Sequence, residues 1–223
     1  MENLDSHILF RVFFLPVNAT LAYTWLVMAI LVGGAFLAGR KYRGDLVPSR
    51  YALFLESLVE VIVSQIEDIM KRPGTPFLPY LGTLFLFIAT CNFFEFVPGY
   101  HAPTASLSTT SALALSVFLA VPIYAISERG FWGYFKEFIE PSPVMLPLNI
   151  LGEFSRTLAL AVRLYGNVTG GTVVVGILLG IVPYLVPMVM QVFELLIGFI
   201  QAYIFAVLAA VYIASAMAAQ EKH

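Results

Sequence analysis

Apolar positions in this chain fall into long uninterrupted blocks, with one stretch between them that takes up an amphipathic rhythm. The first block, Leu21 to Ala38, ends at the basic cluster Arg40, Lys41 and Arg43. About 20 such residues cover the hydrocarbon thickness of a bilayer, so this block predicts a transmembrane helix. From Tyr51 to Met70 the pattern changes. Phe54, Leu55, Leu58, Ile62, Ile66 and Ile69 recur at spacings of three and four, while Glu56, Glu60, Ser64 and Glu67 hold the other side. That period marks one face of an α-helix lying along a surface. Its mostly acidic polar side suits a protein partner or a polar loop better than anionic lipid, so the segment predicts a cytoplasmic interfacial helix, with a membrane-surface helix and an ordinary docking helix both open.

Pro73, Gly74, Pro76 and Pro79 interrupt that helix and open a second span, Phe77 to Val97. After the linker "PGYHAPTAS" a third span, Leu107 to Ile126, leads to Glu128, Arg129 and Lys136. The aromatics of "FWGYFKEF" suit a headgroup boundary. Beyond Pro141, Pro143 and Pro147 come two much longer blocks, Leu148 to Ile181 and Tyr184 to Met217, parted by Pro183. At a rise of about 1.5 Å per residue both exceed the roughly 30 Å of hydrocarbon, so both must tilt, and steep tilt requires something large alongside.

Composition places all of this in a membrane. Hydrophobic residues make up 60% of the chain and charged residues 12%, with a mean hydropathy of +0.87, whereas about a quarter of a soluble domain is charged. A net charge of -2 argues against nucleic acid, which demands a basic face. The lone Cys91 cannot form an intrachain disulfide. The amino terminus begins acidic and lacks a basic leader and cleavage site, so the whole chain is expected to be mature. Keeping basic loops cytoplasmic puts the amino terminus outside and the carboxyl terminus in the cytoplasm. The expected fold is an all-α integral membrane protein with about five membrane-embedded helices and one interfacial amphipathic helix. It reads as a single membrane domain over 1–223, with the outer amino terminus and first span in 1–47, the amphipathic helix in 48–72, two spans in 76–127 and two long tilted helices in 141–219.

Charge is scarce in the last two helices and therefore informative. Between Pro141 and Gln220 only Glu153, Arg156, Arg163 and Glu194 are charged. A guanidinium at the bilayer centre costs about 2.5 to 3.5 kcal/mol on insertion scales and cannot escape by deprotonating. Arg163 and Asn167, four apart, share a helical face, and Arg156 lies seven before Arg163. Gly166 and Gly170 add a GxxxG spacing that admits a close backbone. On the last helix Glu194, Gly198 and Gln201 line one side. Glu153 and Arg156, three apart, read equally as a local ion pair. An interhelical pair between Arg163 and Glu194 is the plain structural alternative for those two.

The run "RTLALAVRLYGNVTGG", followed some thirty residues later by "ELLIGFIQAYIFAVLAAVYI", resembles the two signature helices of subunit a of F-type ATP synthases. "CNFFEFVP" and "PTASLSTTSALAL" resemble earlier parts of the same family, and the likeness runs from the first span to the carboxyl terminus. It implies that Arg163 is the stator arginine facing a ring of c subunits, with Gln201 and Asn167 beside it. It also implies two offset half-channels, peripheral-stalk b subunits as partners, a proton or sodium ion as the translocated species, and a bacterial plasma membrane as the location. For the outer half-channel the candidates are Glu194 and Glu95, helped by Asn92 and by Ser106 or Ser108. For the inner one they are Asn149, Glu153, Ser155 and Tyr165.

Two departures stand out. Thr172 occupies a place where many relatives are acidic, and Glu194 one often held by histidine, as though the acidic function had moved between helices. Ser106 and Ser108 stand where relatives often have Asp and Asn. Such departures fit a divergent branch, the bacterial N-type F-ATPases being one. A self-contained secondary transporter is the rival reading, but the internal repeats usual in such folds are not found. No zinc motif, nucleophile elbow or phosphate loop suggests a cofactor or chemistry within the chain.

Overall fold

A computed structural model describes residues 8–12, 15–42, 50–97, 100, 102–139, 145–181 and 185–218. Arg43, His101, Pro141, Pro143, Pro183 and His223 lie outside the described residues. The membrane part is all helical. The order is a hairpin of β1 (Ile8–Val12) and β2 (Leu15–Asn18), then α1 (Ala19–Tyr42), α2 (Arg50–Met70), α3 (Leu78–Phe94), α4 (Leu107–Ile139), α5 (Met145–Ile181) and α6 (Leu185–Ala218), with a 3-10 turn at Pro103–Ala105. The antiparallel hairpin, which pairs Phe10 with Val17, was not foreseen from the sequence. Its strands are too short for a convincing alternation, and Pro16 lies inside one of them.

Among the described residues four helices are long and apolar enough to cross a membrane, within α1, α4, α5 and α6, and α3 is a shorter apolar helix. At about 1.5 Å per residue, the 37 residues of α5 and 34 of α6 extend roughly 55 and 50 Å, well beyond a bilayer's hydrocarbon. α4 outruns the expected third span by continuing past Ile126, and it bends sharply at Gly130, whose φ of 74° is readily open only to glycine.

Each helix buries one side. α3 packs on α6, α4 on α5 and α6, and α5 on α6, while α1 touches α3 and the 3-10 turn from the periphery. Val27, Ile88, Val117, Leu160, Leu164, Phe205 and Ile213 are fully buried where these helices meet. α2 turns Ile66 and Met70 inward against α3 and α6, and leaves Glu56, Glu60, Glu67 and Asp68 exposed. The amphipathic helix thus docks its apolar side on the bundle. Tyr203 of α6 donates to Gln65 Oε1 at 2.8 Å, and Arg72, just past the end of α2, binds Glu128 of α4 at 2.6 Å.

Candidate functional site

Where α3 crosses the α5–α6 pair, a cleft of about 360 Å³ opens between the three helices. Asn92 and Glu95 line it from α3 and its carboxyl end, Asn167 and Gly171 from α5, and Glu194 and Gly198 from α6. A small adjoining cavity is lined again by Asn92, Glu95 and Glu194. Among the described residues no basic side chain lines either space. Two carboxyl groups therefore share an apolar cleft with amides as their polar company.

Two glycines make this convergence possible. A Cβ on Gly171 would stand 2.5 Å from Glu194 Oε1, and one on Gly198 would stand 2.9 Å from Asn92 Cβ. Glycine at these positions lets the Glu194 carboxyl lie against the backbone of α5, and the Asn92 amide against that of α6. Asn92, only 3% exposed, donates from Nδ2 to the Gly198 carbonyl at 2.9 Å. Glu194 Oε1 is buried without a hydrogen-bond partner among the described residues. Buried oxygens of that kind are usually hydrogen-bonded.

Arg163 stands apart from the cleft. On α5 the packing side is Leu160, Ala161, Leu164 and Val168, all under 7% exposed. At 100° per residue Arg163 falls off that side, and it is exposed in the structure. Gly152, Gly166 and Gly170 are exposed too, with open space beside each. No ion pair or hydrogen bond engages Arg163 among the described residues, and the alternative pair with Glu194 is not formed. An arginine thus lies in a strip of small residues on the outside of an apolar helix.

Gln201 is 6% exposed on the packing side of α6, with Nε2 lacking a partner among the described residues. Gln201 thus lies inside the bundle, whereas Arg163 is on the outer side of its helix. Glu153 and Arg156 bind each other at 2.9 Å, and the Arg156 guanidinium also covers the Tyr212 ring at 5.4 Å. Thr172 is exposed and donates to the Thr169 carbonyl at 2.9 Å. Asn149 and Tyr165 are half-buried on α5 and Ser155 is exposed. Buried Ser106 shares a hydrogen bond of 2.7 Å with exposed Ser108.

Thr104 escaped the sequence reading. It is fully buried, and Oγ1 donates to Asn92 Oδ1 at 3.4 Å. The available signal was its place beside Pro103 in the polar "PTASLS" segment, from which only the two serines were singled out.

The fold and the site define a polytopic membrane protein whose apolar, membrane-length helices carry a carboxylate and an arginine that is unpaired among the described residues. Residues 21–214 match the family described as ATP synthase A chain. An "ATP synthase subunit a 2" of Picosynechococcus sp. is 52% identical over 220 residues, 98% of this chain and 94% of that one. An "ATP synthase subunit a 1" of Chlorobium luteolum is 47% identical over 98% of both chains. The "ATP synthase subunit a" of Albidiferax ferrireducens is 50% identical over 95% of this chain and 92% of its own. The chain belongs to the ATP synthase A chain family and is a membrane component of an ATP synthase.

Proposed function

We propose that this chain is the ion-translocating stator subunit of the membrane sector of an F-type ATP synthase, coupling ion flow to rotation of a ring of c subunits. The observation that carries the reading is Arg163, exposed on the outside of α5 in a strip of small residues and unpaired among the described residues. A fixed cation on a lipid-depth surface needs a counter-charge from another chain, and a carboxylate on each ring subunit supplies it.

Arg163 is always protonated, so it cannot relay a proton. Its charge favours the ionised form of whichever ring carboxylate faces it. A carboxylate moving off Arg163 must take up a proton or cation before it meets lipid, since an unpaired charge there is very costly. Arg163 also repels a cation attempting to pass directly, so rotation is the open route. One charge crossing 100 mV yields about 2.3 kcal/mol, so several crossings are needed per ATP, which a ring provides.

In this reading the cleft of Asn92, Glu95 and Glu194, with Ser106 and Ser108 nearby, is the outer half-channel. Asn149, Tyr165 and the surroundings of the Glu153–Arg156 pair belong to the inner one. Gln201, buried with a free amide N–H, and Asn167 complete the polar set between them, with Thr172 at its edge. The subunit binds no nucleotide itself, lies in a bacterial plasma membrane with its amino terminus outside and its carboxyl terminus in the cytoplasm, and meets the peripheral-stalk b subunits on sides away from the ring. The proton is the expected ion, sodium the alternative.

Arg163→Ala is the direct test. In the whole complex reconstituted into vesicles it should abolish ATP-driven ion pumping while hydrolysis by the soluble sector persists. Normal coupled pumping would overturn the assignment.

A further inference from the structure

We propose that Thr104 is a positioning residue for ion transfer, holding the Asn92 amide so that it presents an N–H, and not its oxygen, to the cleft shared by Glu95 and Glu194. The proposal rests on reading that cleft as part of the ion path. Thr104 comes from the 3-10 turn, which is wedged between α3 and α5, and it is completely buried. Its Oγ1 has one described acceptor, Asn92 Oδ1 at 3.4 Å, at the long end of the hydrogen-bond range. On its other side the same amide donates from Nδ2 to the Gly198 carbonyl at 2.9 Å, and the absent side chain of Gly198 allows that approach.

An amide has one oxygen and two N–H groups. Thr104 occupies the oxygen and Gly198 takes one N–H, which leaves the second N–H for the cleft that Asn92 lines. An N–H at that place favours a charged carboxylate, whereas an amide oxygen there favours a protonated one. Removing the Thr104 hydroxyl leaves a buried amide oxygen unpartnered, which is costly enough to make the side chain seek another donor. Among the titratable groups that line the cleft, the donors are a protonated Glu95 and a protonated Glu194. The other titratable groups around the cleft are few. Cys91 and Tyr100 stand near Glu95, Tyr23 of α1 packs edge-on against Tyr100 at 5.0 Å, and the lining contributed by α5 carries no charge, Arg163 being on the outer side of that helix. Ser106 and Ser108 do not titrate.

The test measures the pH profile of ATP-driven ion uptake by the whole complex in phospholipid vesicles, with a pH-sensitive dye and, in parallel, radiolabelled sodium. Thr104→Val, of nearly equal volume, should move the profile toward higher pH by about one unit, the scale of a hydrogen bond to a charged group. Thr104→Ser, which keeps the hydroxyl, should hold the natural profile. In an Asn92→Ala background, Thr104→Val should add no further shift. If the valine variant does not assemble, Thr104→Ala carries the same expectation. An unmoved profile in an assembled hydroxyl-free variant, a serine variant that shifts as valine does, or a full shift without Asn92 would each overturn the inference. Loss of pumping in Arg163→Ala together with an unmoved Thr104→Val profile would reject the role of Thr104 alone. Survival of pumping in Arg163→Ala would reject the reading on which it rests.

Discussion

At Gly171 a missing side chain decides where a carboxylate goes. The Glu194 carboxyl occupies the volume a Cβ would need, so substitution there acts on Glu194 and not only on helix packing. Gly171→Ala should cut coupled ion pumping by tenfold or more, roughly the effect of misplacing a reacting group by an ångström. Gly176→Ala, on the same helix with open space beside it, should leave pumping near normal. Equal losses in the two variants, measured by ATP-driven uptake in vesicles, would separate Glu194 from the effect. The sequence showed both glycines and both acids but not this contact, because spacing along one helix carries no information about which residue of another helix lies opposite. For the same reason Arg163 and Gln201, each legible as a charge or amide in an apolar run, gave no sign of which way their side chains turn. The packing of Leu160 and Leu164 turned the first outward, and the packing of Ala202 and Phe205 drew the second inward.

Among the elements, the corner between α2 and α3 sets the angle at which the amphipathic helix meets the bundle. Gly74 N–H donates to Glu67 Oε1 at 3.0 Å, and a Cβ on Gly74 would lie 2.9 Å from the Val63 carbonyl oxygen, a backbone atom that cannot step aside. Gly74→Ala should therefore destabilise the assembled subunit by about 1 to 3 kcal/mol, as overpacking does. Gly82→Ala, where the nearest atom is an ordinary 3.6 Å away inside α3, should be neutral or stabilising by up to about 1 kcal/mol. Thermal unfolding of the detergent-solubilised complex distinguishes the two, and a lower midpoint for the Gly82 variant than for the Gly74 variant would contradict the geometry. Helices of this kind were readable from the chain because long apolar runs and a three-to-four period are local signals. The hairpin at Ile8–Asn18 and the burial of Thr104 were not, since a short strand pair and an inserted turn take their place from what surrounds them.

For the whole molecule, the bundle covers one side of the α5–α6 pair and leaves the Arg163 side bare. That open side has a consequence for the life of the protein in the cell. A newly made copy without the ring proposed to cover it must hold a guanidinium among acyl chains, at about 2.5 to 3.5 kcal/mol on insertion scales, or distort the bilayer to hydrate it. Orphan copies should thus be poor residents of the membrane and early targets of quality-control proteolysis. In cells deprived of the c subunit, pulse-chase labelling should show rapid turnover of the natural chain and slower turnover of Arg163→Leu. Equal half-lives would mean that Arg163 does not mark the unassembled chain. The same charge that would hold a rotor carboxylate in the finished machine would serve, before assembly, as a tag that the machine is incomplete.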